Sequence, residues 1–547
     1  MGGRHRQPRT RICCGPSGLT SLQSPCQPAS PCAATPRPAT PLSPTLQKGK
    51  GITIPQRVSA LVGPAVIRSV PQLVLDQARR QPHALAVEFE GESTTYRELV
   101  LRAGGIAGAL RRDGVRPGAV VAVQLDRGSS VLAAQLGIWI MGGISLTLPL
   151  DMPHGRVETI LADAAPEALI RDEADSANTG FLDVPLVIDV AECGQAEPAL
   201  SEISGGSAYL IYTSGSTGIP KGVLVGHVSF ALLAQWHVET YGVTAADRAS
   251  SVAAMSFDAF VWETWPYLSC GASVHFAPPE LKLAPWELGD WYKARSIDLS
   301  FLPTPLAEIY LRHGTHFGQL RCLLSGGDRL RLLDGHPLRR FVNHYGPTET
   351  TVVATSHDVP SNSTGPVPIG RAISSARTMV FDGERRTAQG AEGELLVSGA
   401  CLALGYWGNQ SATERSFVRV TGSPDTWYRT GDLVRENEEG DLEFLGRIDR
   451  QIKIRGVRVE PGEIEGVLGR HPDVDDILVD WDQDGSRLTA YVVGDEIRAD
   501  ARSSSLLGEF ARQHLPAEMV PQNFVFLDSL PLTAHGKVDR ATLLRTR

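Results

Sequence analysis

Residues 208–227, AYLIYTSGSTGIPKGVLVGH, constrain this chain more than any other stretch. The apolar run 209–212 reads as a short buried strand. It feeds Thr213-Ser214-Gly215-Ser216-Thr217-Gly218, then Pro220-Lys221-Gly222 and a second apolar run. Glycines let a backbone bend sharply and approach a ligand closely. Successive N–H groups, hydroxyls and one ammonium together wrap an anion. The residues therefore read as a phosphate-gripping loop after a strand. They do not follow the G-x-x-x-x-G-K-[ST] nucleotide loop, because Lys221 follows Ile219-Pro220 and precedes Gly222. A plain Gly/Ser turn between two strands is the structural alternative.

The surrounding text sets the fold class. Helical and strand patterns alternate: helix 73–80, strand 84–88, a helix from Thr95 to about 112, then 120–124, 131–141, 144–148, 154–164 and 168–171. Thr95 is placed to cap its helix, with Glu98 three residues on. Such alternation predicts a parallel sheet with helices on both faces, and anionic ligands outside the carboxyl ends of its strands. After about residue 365, short strands and turns dominate to 446. The last hundred residues hold a hairpin (477–480 and 488–493, around Asp484-Gly485), a helix at 506–514 and a strand at 524–527. The expected fold is α/β. A large N-terminal domain of doubly wound α/β sheets with a small β-rich subdomain spans 68–448, and a small mobile α+β C-terminal domain spans 449–547.

Residues 1–60 stand apart: rich in Pro, Ser, Thr and Arg, without Asp or Glu, and without the apolar core of a secretory signal. A transit peptide, a disordered extension and a spurious upstream start all fit this composition. The whole chain carries 52 basic and 61 acidic residues, a formal net charge of −9. That balance argues against nonspecific nucleic-acid binding. The eight cysteines form no C-x-x-C pair, so neither a zinc site nor a disulfide framework is expected, and a reducing, cytoplasmic setting is. The uncharged stretch 128–150 is long enough to span a membrane. Gln135, Gly142, Gly143, Ser145, Thr147 and Pro149 make it read instead as a buried helix, a glycine turn and a buried strand, with no membrane association.

Four further strings carry chemistry. Phe257-Asp258-Ala259-Phe260-Val261-Trp262-Glu263 sets one acid among apolar and aromatic residues; it either caps a helix or awaits a cationic ligand. Asn343-His344-Tyr345-Gly346-Pro347-Thr348-Glu349 offers a ring, hydroxyls and an acid, a set suited to a nucleotide and a divalent cation. Tyr428-Arg429-Thr430-Gly431-Asp432 presents a carboxylate after a tight turn, and Arg447, Asp449, Lys453 and Gly456 follow within one run. Near the end stands Thr533-Ala534-His535-Gly536-Lys537.

Together these strings resemble, in order and spacing, the signatures of adenylate-forming enzymes over about residues 70–545, and specifically the adenylation domains of nonribosomal peptide synthetases. The resemblance implies ATP and Mg²⁺ as cofactors. It gives the phosphates to Thr213, Ser214, Gly215, Ser216, Thr217, Gly218 and Lys221. By the same resemblance Gly326 and Gly327 line adenine, Tyr345 stacks on it, and Asn343 and Gly346 also bind ATP. The α-phosphate goes to Thr348, Mg²⁺ to Glu349, the ribose hydroxyls to Asp432, and phosphate or ribose to Arg447. Asp449 matches the hinge of the small domain, and Lys537 the catalytic lysine that offsets charge building up at the attacked phosphate. His535 departs from the family's usual Asn.

The resemblance also implies an amino-acid substrate whose ammonium pairs with Asp258. Its side chain would meet Ala259, Trp262, Phe301, Leu324, Gly326, His344, Val352 and Val353. These walls are similar to leucine-type pockets except at His344, which either packs as a neutral wall or reads a polar tip on the substrate. The expected function is activation of an amino acid, a leucine-like aliphatic one favoured, as aminoacyl-AMP. Transfer to the phosphopantetheine thiol of a separate carrier protein follows, in nonribosomal peptide or antibiotic biosynthesis. An acyl- or aryl-CoA ligase, aminoacyl transfer to a small-molecule amine, and a non-catalytic binding module are the alternatives.

Overall fold

A computed structural model describes residues 67–172, 184–199, 206–215, 218–314, 317, 320–482, 487–494, 501–532 and 538–543. Residues 1–60, Ser216, Thr217, Asp484-Gly485, His535 and Lys537 lie outside the described residues.

Two sheets and the helices between them form the large domain. In the nine-stranded sheet, six consecutive neighbours run parallel: Phe341–Tyr345, Cys322–Gly326, Leu299–Pro303, Arg248–Ser251, Ser273–Phe276 and Leu85–Phe89. In the seven-stranded sheet, Ser207–Thr213, Ile144–Thr147, Val120–Gln124, Ala168–Arg171 and Val187–Asp189 run parallel. Strand alternation splits the burial. Val121 and Val123 face the central core between the sheets, whereas Val120 and Ala122 pack outward under the helix His154–Ala164. The far face of the nine-stranded sheet buries Leu302, Leu323 and Phe341 against Tyr292 and Tyr310. Both faces of both sheets are covered, as parallel sheets require.

Local signals act as expected. The helix Tyr96–Arg112 starts on a Thr95/Glu98 capping box. The first helix starts at Val70, three residues before the expected 73, because the Ser69 N–H donates to the Gln72 side chain at 2.9 Å and Pro71 fits the first turn. The stretch 128–150 divides into the helix Ser129–Ile140 and the strand Ile144–Thr147. Gly142 turns the chain between them at φ +86°. No helix among the described residues is long and apolar enough to cross a membrane.

The β-rich segment is a five-stranded antiparallel sheet, including Glu392–Gly399, Thr426–Glu436 and Leu442–Arg447. The chain then builds a small domain with its own core. It comprises the hairpin Ile452–Ile454 and Val457–Val459, the helix Pro461–Leu468, the hairpin Asp476–Asp482 and Arg487–Val493, the helix Ala501–His514, and the strand Asn523–Leu527.

Candidate active site

The phosphate-loop strand Ser207–Thr213 pairs antiparallel with Lys221–Gly226, and Thr213 lies opposite Lys221. The loop therefore sits at the tip of a hairpin, at the carboxyl end of a strand that is parallel to Ile144–Thr147. Beside it lies a cavity of about 560 Å³ that reaches Asp258, Tyr345, Thr348 and Asp432. The small-domain residues Lys453, Gly456 and Arg458 close its other side.

Asp258 is the first residue of the helix Asp258–Cys270 and stands half-buried on the cavity wall. Burial pushes its carboxyl up to about 6, against the Thr348 hydroxyl and the Ala259 N–H, which both favour the charged form. No basic residue pairs with it among the described salt bridges. One turn on, Glu263 is buried and accepts the backbone N–H groups of Val252 (3.0 Å) and Ala253 (2.9 Å) and the Ser251 hydroxyl (3.1 Å). It ties the segment after Arg248–Ser251 to the helix that carries Asp258. Burial raises its carboxyl to about 7 in spite of these bonds and Arg127.

The expected side-chain wall assembles as one cluster. Trp262, Phe301, Leu324, Val352 and Val353 belong to the central core, Ala259 packs against it, and Gly326 lies in register with His344. A Cβ on Gly326 would fall 2.7 Å from the His344 carbonyl, so the close approach of these strands requires glycine. The Trp262 ring meets Phe301 at 5.3 Å and His344 at 4.9 Å. These residues pack on one another, and the cavity stops at Asp258 and Val261. Thr351 and Val352 both hold positive φ, +55° and +70°, a strained setting for β-branched residues.

His344 is fully satisfied. Its Nδ1 lies 3.0 Å from the Ser325 carbonyl and its Nε2 2.5 Å from the Tyr241 hydroxyl. Burial lowers its pKa to about 4, so the ring is neutral.

Elsewhere on the cavity wall, the Tyr345 hydroxyl donates to Asp432 at 2.5 Å, and Arg447 donates to the other Asp432 oxygen at 2.6 Å. Arg447 also forks onto Asp449. Gly327 and Gly346 line the cavity. Asn343 turns instead to the Pro368 carbonyl at 2.8 Å.

At the phosphate loop the small domain intrudes. Gly215 donates its N–H to Glu463 at 3.2 Å, and the Ser214 hydroxyl donates to the Arg458 carbonyl at 2.8 Å. Glu463 also pairs with buried Arg156. Glu349 is wholly buried and accepts Arg458 at 2.9 and 3.0 Å and the Tyr406 hydroxyl at 2.7 Å. Burial alone would raise its carboxyl; Arg458 and Lys221 outweigh that and hold it down to about 2. Lys221, 3.6 Å from Glu349, has its pKa lowered by burial and by Arg458.

This arrangement does not fit Mg²⁺ at Glu349, whose oxygens are taken by a guanidinium. Nor do three or more metal-ligating side chains gather anywhere among the described residues. Arg458, Glu463, Arg156, Tyr406, Tyr241 and Glu263 escaped the sequence reading as site residues. The one available signal was the run of charge after Gly456, Arg458-Val459-Glu460-Pro461-Gly462-Glu463.

The Gly-rich loop after Thr213, the hydrogen-bonded set Tyr345, Asp432 and Arg447, and a separate small domain thus surround one cavity. The AMP-binding enzyme family matches residues 74–407, and the AMP-binding enzyme C-terminal domain matches 463–537. A component of the linear gramicidin synthase of Brevibacillus parabrevis is 39% identical over 494 residues, 87% of this chain and 6% of that protein. Bacitracin synthase 1 of Bacillus licheniformis is 37% identical over 485 residues, 87% of this chain and 9% of that protein. An artificially fused adenylation–PCP di-domain NRPS from Klebsiella oxytoca, NpsA-ThdA, superposes with a TM-score of 0.76 at 25% identity, covering 85% of this chain and 95% of that one. The chain spans under a tenth of the length of these two synthase proteins. It belongs to the AMP-binding enzyme family and is similar to parts of these synthases and to the adenylation–PCP protein.

Proposed function

We propose that this protein activates a leucine-like aliphatic amino acid as aminoacyl-AMP and passes it to the phosphopantetheine thiol of a carrier protein. The observation that carries the reading is Asp258, a carboxylate with no basic partner among the described residues, on the wall of the cavity shared with Tyr345, Thr348 and Asp432. A substrate ammonium supplies the missing charge; an acyl or aryl acid has none to offer. The aliphatic preference draws on the apolar wall and on His344, whose two ring nitrogens are already engaged.

In the first half-reaction a substrate carboxylate oxygen attacks the α-phosphorus of ATP. A P–O bond forms there, the bond to the bridging oxygen breaks, and pyrophosphate leaves. Thr348 and Lys537 face the charge that builds at the α-phosphate, while Asp432, Tyr345 and Arg447 orient the nucleoside. In the second, the thiol attacks the acyl carbon and AMP departs. The small domain turns about Asp449 between the two, replacing Lys537 at the cavity with the Gly456 loop.

Amino-acid-dependent ATP–pyrophosphate exchange across a panel of α- and β-amino acids and fatty acids tests this reading. Leucine-like amino acids are expected to lead. Exchange with fatty acids and none with amino acids overturns it.

A further inference from the structure

Arg127 ties the two sheets of the large domain together. It follows the strand Val120–Gln124 of the seven-stranded sheet and is itself nearly buried. Gly128, at φ +131°, turns the chain there against Phe89 of the nine-stranded sheet; a Cβ on it would fall 3.3 Å from that ring. The Arg127 guanidinium crosses to the same sheet. It donates to the Ser251 carbonyl at 3.1 Å and to the Ala253 carbonyl at 2.8 Å, and stands 5.5 Å from the centre of the Phe276 ring. Ser251 and Phe276 end two neighbouring strands of that sheet and lie in register with each other.

Glu263 grips the same segment from the other side, through the N–H groups of Val252 and Ala253. The peptide between Ser251 and Val252 is therefore held at both ends, its carbonyl by Arg127 and its N–H by Glu263. The Ser251 hydroxyl closes the ring: it accepts from Arg127 at 3.4 Å and donates to Glu263 at 3.1 Å. Hydrogen bonds to charged groups are stronger than neutral ones. A buried guanidinium and a buried carboxylate are each unfavourable alone, and here the peptide dipoles between them point the right way for both. Directly after this clamp the chain runs Ala254-Met255-Ser256-Phe257-Asp258, and each of these residues lines the cavity.

We infer that Arg127 is a positioning residue for amino-acid activation: with Glu263 it clamps residues 251–253 and so fixes Asp258 relative to the opposite edge of the cavity. That edge, Thr213 and Ser214, hangs from the seven-stranded sheet, the sheet whose strand Val120–Gln124 leads to Arg127. Asp258 hangs instead from the segment after Arg248–Ser251, in the nine-stranded sheet. A substrate with its ammonium at Asp258 and its carboxylate at the nucleotide spans both anchors. Misplacing one anchor by about 1 Å is enough to cost on the order of a hundredfold in such a reaction. The inference rests on the reading of Asp258 as the amine site and adds the residue that holds that site in place. Arg127 acts through the segment and does not touch the substrate.

Steady-state ATP–pyrophosphate exchange on the full chain tests it, with the best amino acid of the panel varied at saturating ATP and ATP varied at saturating amino acid. Arg127→Met is expected to raise the amino-acid KM roughly tenfold or more while the KM for ATP stays within about twofold. A merely structural loss would shrink the folded fraction and lower the rate without moving either KM. Arg127→Lys keeps the charge but has a single donor nitrogen in place of the fork, so a smaller rise is expected. It also carries the test alone should Arg127→Met fail to fold. Combined with Glu263→Gln, Arg127→Met should raise the amino-acid KM by less than the product of the two single effects, because both act on one segment. An amino-acid KM unchanged in every folded Arg127 variant, a KM for ATP that rises in step with it, or effects that simply multiply in the double variant, overturns the inference. Absence of amino-acid-dependent exchange in the unaltered protein overturns the parent reading instead.

Discussion

Tyr241 holds the buried His344 ring: its hydroxyl lies 2.5 Å from Nε2, while Nδ1 reaches the Ser325 carbonyl at 3.0 Å. The ring thus carries its proton on Nδ1 and accepts from tyrosine. Tyr241→Phe leaves Nε2 buried without a donor, which costs about 1–3 kcal/mol. Urea denaturation is expected to show that loss. The exchange panel should widen toward substrates with a hydrogen-bond donor at the tip, because the freed nitrogen then seeks one. An unchanged midpoint and panel would mean that Tyr241 does not set the state of the ring.

Asp258 is the next test. Removing it by Asp258→Ala leaves a substrate ammonium unpaired at about 3–5 kcal/mol, by analogy with broken buried pairs. The amino-acid KM should rise accordingly while the KM for ATP holds. Unchanged amino-acid affinity counts against the pocket assignment.

Acidity gives an independent reading of the same group. Only the ionised carboxylate pairs with an ammonium, and burial lifts the Asp258 carboxyl to about 6. As pH falls below that value the amino-acid KM should climb, approaching roughly tenfold per pH unit, with little change for ATP. The sign reverses for the free protein. A carboxyl whose folded pKa is raised lends stability that is full below the unfolded value and is lost as pH rises through about 6. Asp258→Asn should therefore raise the thermal midpoint of the ligand-free protein at pH 7.5 and leave it nearly unmoved at pH 4. A midpoint shift equal at both values would contradict the burial of this carboxyl.

Glu263 supports the site without touching it. Its carboxylate takes three donors from the segment 251–253. Glu263→Gln replaces one acceptor oxygen by a donor that faces other donors, at a cost of about 1–3 kcal/mol. Loss of stability with a raised amino-acid KM is the expected result. Stability lost with KM intact would confine Glu263 to the core.

Lys537→Ala is expected to abolish adenylate formation and spare transfer from preformed adenylate. Equal loss in both steps refutes the alternation about Asp449.

Local structure was legible because its causes are local. The Thr95/Glu98 box, the glycine turn at Gly142 and the two-residue period of Val120 to Val123 each act within a few residues. The hairpin at the phosphate loop was legible only as the alternative of a turn between two strands, because a strand followed by a Gly-rich loop reads the same whether the chain returns as a strand or a helix. Tyr241 and Glu263 were illegible. A buried tyrosine or glutamate shows in sequence as one more residue of an amphipathic run, and its role depends on what lies 103 or 12 residues away in the chain.

Sequence alone determined the family, the α/β plan and the position of one acid, Asp258, among apolar and aromatic residues, because motif order and residue period survive without coordinates. Only the tertiary structure decided what Glu349 and the phosphate loop hold in this arrangement. Those partners, Arg458 and Glu463, arrive from a second folding unit more than a hundred residues on, and electrostatic pairing across such a distance leaves no periodic trace in a chain.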